Sequence, residues 1–178
     1  MSQILKLSKL DAAERQLNQA IKLFFAESDE VSIHALAEAA SQVLADIGKP
    51  LGIKSIVRDS GLIREEMRKE WLNIVFRSRN FFKHADKDPN EINDFNPVSN
   101  VVSLLDGVCM HSAIAKQWTP ETYVFFIWTE FAYPDLFLKR YSDVIPKDSL
   151  PKFDNKQLVL EAIQSLRFTA NKQFNFKY

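Results

Sequence analysis

Apolar residues in this chain recur at every third or fourth position, and capping residues and prolines, rather than glycine turns, interrupt the stretches that carry them. Leu10, Leu17, Ala20, Ile21 and Phe24 form one stripe, and Ile33, Leu36, Ala37, Ala40, Val43, Leu44 and Ile47 form a second. A period near 3.6 puts each set on one face of a helix. Ser8, three residues ahead of Asp11, resembles a capping box. Ser28-Asp29-Glu30 separates the stripes, and Gly48 with Pro50 just beyond stops the second. So short a connection predicts an antiparallel pair. The chain has only four glycines, and Asp106-Gly107 is its lone dipeptide of the tight-hairpin kind. These features predict an all-α fold, a bundle of about five to seven helices.

Further along, a long helix is expected from about Leu62 to about Ala85, with Ile63, Met67, Trp71, Ile74, Val75 and Phe82 on its core side. Asp86-Lys87-Asp88-Pro89-Asn90 ends it. Asn96-Pro97 supplies a cap and first turn for a helix reaching about Trp118. Thr119-Pro120 repeats the signal and opens an aromatic segment running from Tyr123 to Tyr141, which Pro134 splits. That segment is apolar on most sides, so it is either core or covered by a second copy. A base-stacking platform would need basic neighbours, and only Lys139 and Arg140 are close. After Pro146 and Pro151, Asp154 can cap a last helix bearing Leu158, Val159, Ala162, Ile163 and Leu166. The 178 residues suit a single helical domain. Residues 1–118 read as its core and 119–178 as aromatic-rich C-terminal helices.

The formal net charge is zero, so no global field marks a nucleic-acid binder. The single cysteine, Cys109, excludes an intrachain disulfide and the multi-cysteine metal motifs. Met1 to Lys9 lacks the apolar run of a secretory signal, and Glu130 and Asp135 interrupt the nearest candidate for a membrane span. The expectation is a cytoplasmic protein with no membrane segment.

The stretch Phe76-Arg77-Ser78-Arg79-Asn80-Phe81-Phe82-Lys83-His84-Ala85-Asp86 carries the chemistry. On a helix, Arg77 and His84 lie within about 20° of one another, while Arg79 is rotated about 140° from His84. Asn80 joins the Arg77–His84 stripe. Histidine moves protons near neutral pH, arginine offers a planar fork for phosphate, and asparagine can orient either partner. The candidate catalytic residues are therefore Arg79, Asn80 and His84, with Arg77 and Lys83 as phosphate contacts. Arg79 reaches His84 only if the helix ends there, if its side chain wraps, or if a second subunit presents the facing site. A solvated helix end, with basic side chains favoured by the dipole, explains the same residues structurally. His34 reads as a hydrogen-bonded, partly buried histidine that becomes a secondary candidate if it faces His84. His111 and Cys109 read as structural. No acidic cluster nearby suits magnesium, so a phosphodiester would be cleaved without metal or cofactor, by the 2′-hydroxyl of RNA.

Arg79-Asn80-Phe81-Phe82-Lys83-His84 resembles the R-x4-6-H motif of the HEPN superfamily, including its form with a polar residue directly after the arginine. Arg77 fits the longest spacing of that motif. The resemblance implies a helical bundle, often a homodimer, with a HEPN-like core over residues 1–118. It also implies a metal-independent ribonuclease whose arginine and histidine sites meet across the dimer, or an RNA-binding or interaction relative that has lost catalysis. The motif stands before the middle of this chain, earlier than in many members. A broader resemblance, carried by Leu10-Asp11-Ala12-Ala13, by Val31 to Leu36 and by Asn80 to Asp86, is to a family of uncharacterised bacterial proteins and implies no activity. The competing expectation is a helical interaction module that binds a protein partner or a second copy.

Overall fold

A computed structural model describes residues 4–61, 63–86, 88–137, 153 and 155–170, the last four of these by backbone alone. The described residues are helical, without strands. Among the described residues, seven α-helices appear in order: α1 (Lys9–Phe25), α2 (Glu30–Gly48), α3 (Arg68–Val75), α4 (Arg77–Phe81), α5 (Ser99–Ala115), α6 (Pro120–Ala132) and α7 (Lys156–Ala170). No helix among them is long and apolar enough to cross a membrane.

The helix starts follow the sequence closely. Ser8 caps α1 in a reciprocal box with Asp11, and Asp29 caps α2 by accepting from the Ser32 N–H at 2.8 Å. Thr119 forms a second box with Thr122 at α6, and Pro120 sits where a missing N–H costs nothing. Asp154 lies outside the described residues; Asn155 accepts from the Gln157 N–H ahead of α7. Asn96 does not cap α5 directly, because the helix begins at Ser99, and its side chain instead accepts from Val98 N at 3.0 Å.

α1 and α2, joined by so short a link, pack as an antiparallel pair. α5 lies on α2, and α1 also touches α5, α6 and α7. Leu17, Ile21 and Phe25 of α1, Ile33 and Leu44 of α2, Leu104 of α5 and Phe125 of α6 are fully buried between them. Phe24, Phe25, Phe125 and Trp128 meet largely edge to face, with centroids 5.1 Å apart for Phe24 and Trp128. This geometry suits the ring quadrupoles. Val124, Phe125, Ile127 and Trp128 of the aromatic segment are therefore core, whereas Phe131, Tyr133 and Leu136 are exposed. The part of the segment from residue 138 onward, with Lys139, Arg140, Tyr141, Pro146 and Pro151, lies outside the described residues.

Asp106-Gly107 lies inside α5, as the helix expected up to about Trp118 requires, and Gly107 lets α5 approach α1: a Cβ there would stand 3.0 Å from Leu17 Cδ1. One sequence expectation is corrected: the long helix from Leu62 to Ala85 is not continuous. It is a short 3-10 turn (Glu65–Met67), then α3 and α4, offset at Phe76. Met67 and Ile74, expected in the core, are exposed, Ile74 at 65 %. No residue of α3 or α4 is buried, and the hinge residue Phe76 takes the inward position instead.

Candidate functional site

The helical turn continues through the motif, since His84 N donates to Asn80 O at 3.1 Å and Asn80 N to Phe76 O at 2.9 Å. The predicted stripe therefore forms. Arg77, Asn80 and His84 line one open groove of about 710 Å3, together with Asn73, Phe81 and three acids, Asp86, Asp88 and Glu91. His84 is exposed. Arg77 Nη2 donates to Glu91 Oε1 at 3.2 Å, and the Arg77 side chain remains 62 % exposed. Such an exposed pair contributes about 0–1 kcal/mol and yields readily to a stronger anion. Lys83 is exposed but does not line the groove.

Arg79 turns the other way. Its guanidinium lies over the Phe76 ring at 4.0 Å, donates to Gln42 Oε1 at 3.0 Å and stands 4.0 Å from Glu38 Oε2. Its side chain is 17 % exposed. Burial lowers the Arg79 pKa, and the Glu38 carboxylate acts in the opposite direction. The structure thus brings together Arg77, Asn80 and His84, with Arg79 reaching Asn80 Oδ1 only at 3.4 Å from behind.

A second arginine, Arg58, lies on the same Phe76 ring at 4.7 Å. It belongs to a polar network that sequence reasoning missed. Asp106 of α5 accepts from Arg58 Nη1 at 2.9 Å, Ser41 Oγ at 2.9 Å, Ser55 Oγ at 2.8 Å and the Ile56 N–H at 2.9 Å. One helical turn away on α2, Glu38 accepts from Ser103 Oγ at 2.6 Å. The signal was partial: Ser103 and Asp106 interrupt an apolar run in α5, whereas Glu38 and Ser41 lie off the apolar stripe of α2. Buried polar side chains in such places require partners on another element.

His34, also on α2, is 1 % exposed. It is edge-on to Phe82 at 5.8 Å and to Phe95 at 5.0 Å. Asn100 Nδ2 donates to Glu30 O at 3.1 Å and Glu30 Oε2 at 2.7 Å, so its Oδ1 faces His34 and accepts from Nδ1–H at 3.0 Å. Burial holds the imidazole below its ordinary pKa of 6.5, against the opposing pull of Glu38 and of the Asn100 bond. Nε2 is then a bare lone pair with no hydrogen-bond partner. His34 does not join His84; it lines a separate, smaller cavity.

His111 is buried against Glu14 at 2.9 Å, and burial pushes the Cys109 thiol up to about 11, where it is no nucleophile at neutral pH. Comparison with protein-family models, with curated proteins and with solved structures finds no match for this chain.

Proposed function

We propose that this chain is a HEPN-type protein that binds RNA and cleaves it without metal, at the open groove on α4. The observation that carries the reading is the convergence of Arg77, Asn80 and His84 on one accessible groove. In this reading the His84 imidazole removes the 2′-hydroxyl proton, and the 2′-oxygen attacks the adjacent phosphorus. The bond to the 5′-oxygen breaks, the proton returns to that oxygen, and a 2′,3′-cyclic phosphate remains. Arg77 holds the non-bridging oxygens, Asn80 orients the phosphate or the imidazole, and Lys83 contacts a flanking phosphate. The resemblance gives the clamp to Arg79. Geometry favours Arg77, because freeing Arg79 would break its stack on Phe76 and its bond to Gln42. Arg79 is then a positioning residue that fastens α4 to α2. A homodimer would supply a second histidine as acid, and the expected compartment is the cytoplasm.

A non-catalytic interaction module is the second reading. Asp86, Asp88 and Glu91 on the same groove favour it, because three acids repel a polyanion and suit a basic protein segment. RNA cleavage by the wild type beside His84→Ala, with excess EDTA and end-group analysis, separates the two. Activity that survives chelation, leaves cyclic ends and vanishes in the variant supports the nuclease. Absence of cleavage, or equal activity in the variant, favours the module.

A further inference from the structure

The groove on α4 has a second wall, and part of that wall is the segment 88–96 between α4 and α5. Glu91 Oε1 accepts from Arg77 Nη2 at 3.2 Å, and two residues on, Asn93 Nδ2 donates to Ser78 Oγ at 3.0 Å. Two adjacent residues of α4 are thus held by two nearby residues of the segment. Phe95 fastens its far end, edge-on to Phe82 at 5.3 Å and to His34 at 5.0 Å. Between these points the segment buries little, since Ile92 is 85 % exposed. Glu91 N donates to Asp88 O at 3.0 Å, and both carboxylates line the groove.

The groove is open in shape but occupied in charge. Among the described residues that line it, Asp86, Asp88 and Glu91 accompany one guanidinium, that of Arg77. A phosphate entering there meets like charge, and the fork that would hold it already holds a carboxylate. Rotation of the Glu91 side chain frees Arg77 but leaves the carboxylates of the segment beside the groove. Withdrawing them requires the segment itself to lift, which the Asn93–Ser78 bond and the packing of Phe95 oppose. Neither Asn93 nor Ser78 lines the groove, so that bond acts on it only by holding the segment down.

We propose that segment 88–96 is an autoinhibitory strap, latched to α4 by the Arg77–Glu91 and Ser78–Asn93 contacts, and that RNA enters the groove as the strap lifts. The inference rests on the ribonuclease reading and adds a regulation to it. A site whose competent form is only partly populated binds more weakly by that fraction. Loosening the latch therefore raises affinity without altering any group that touches RNA. The latch consists of an exposed ion pair and one neutral hydrogen bond, contacts weak enough for an incoming polyanion to overcome.

Filter binding of single-stranded RNA, with hydrogen exchange beside it, tests the strap in the full chain carrying His84→Ala, so that no RNA is consumed. Asn93→Ala removes no charge and no group that lines the groove. It should tighten RNA binding about two- to tenfold, the equivalent of one hydrogen bond. Exchange across 88–96 should quicken while the thermal midpoint stays in place. Ser78→Ala removes the same bond from the α4 side and should give the same gain, and the two changes together should give no more than either alone. RNA binding that is present but indifferent to both changes overturns the strap and leaves the ribonuclease reading standing. Gains that add, or tighter binding with exchange unchanged, also overturn it. Absence of RNA binding in every form, Glu91→Gln included, overturns the ribonuclease reading and the strap with it.

Discussion

Arg77 and Arg79 are two positions apart and have opposite surroundings. Arg77 holds one exposed carboxylate, whereas Arg79 is stacked, bonded and half-buried beside another. An incoming phosphate must displace Glu91 from Arg77, so Glu91→Gln should tighten RNA binding by about two- to fivefold, the equivalent of an exposed pair; filter binding at fixed salt measures it. His34 carries a pH dependence of known sign. Its folded-state pKa lies below 6.5 because of burial, so the unfolded chain takes up a proton first as pH falls. The stability it contributes is whole above that value and is lost on acidification below it. Denaturant titration between about pH 7.5 and about pH 5.5 should therefore show a smaller loss for His34→Gln than for the wild type. The stripe of Arg77, Asn80 and His84 was legible in the sequence because it needs only helical periodicity. The inward course of Arg79 was half legible: the rotation away from His84 could be read, but Gln42, Glu38 and Phe76 as its destination could not.

At the level of elements, the caps were the readable part, because a cap is a local bond between residues a few positions apart. Thr119 also donates to Asn18 Oδ1 at 2.8 Å, linking α6 to α1. Thr119→Ala should cost about 1–2 kcal/mol, measurable by denaturant unfolding. The ends of α1 and α5 were less legible, since Glu27 and Lys116 adopt the left-handed region that glycine favours. The break at Phe76 was not legible at all. Nothing in the local sequence opposes a continuous helix there; the buried Phe76 ring lies against the guanidiniums of Arg58, from the loop ahead of α3, and of Arg79, three residues on, while Ile74 and Met67 are exposed. Tertiary contact overrides an amphipathic pattern when the pattern's own apolar face finds no partner.

Across the whole molecule, the bundle and the arm formed by α3 and α4 are held by different forces. α1, α2, α5, α6 and α7 share an apolar core, while α3 and α4 bury no residue of their own. The arm is fastened by the Arg58–Asp106 network, by Trp71 Nε1 donating to Val57 O at 3.0 Å and by Arg68 Nη1 donating to Arg58 O at 2.8 Å. Asp106→Ala strands Arg58 without its counter-ion and should cost about 3–5 kcal/mol. The loss should appear as faster hydrogen exchange in 52–86 as well as a lower thermal midpoint. The proposed ribonuclease function requires Arg77, not Arg79, to meet the RNA phosphate. Single-stranded RNA affinity should be measured against salt concentration for the wild type, Arg77→Ala and Arg79→Ala. Loss of one phosphate contact predicts a slope shallower by about 0.7 for Arg77→Ala, with Arg79→Ala instead lowering the thermal midpoint and leaving the slope intact. An unchanged slope for Arg77→Ala, or the deficit appearing in Arg79→Ala alone, contradicts the account.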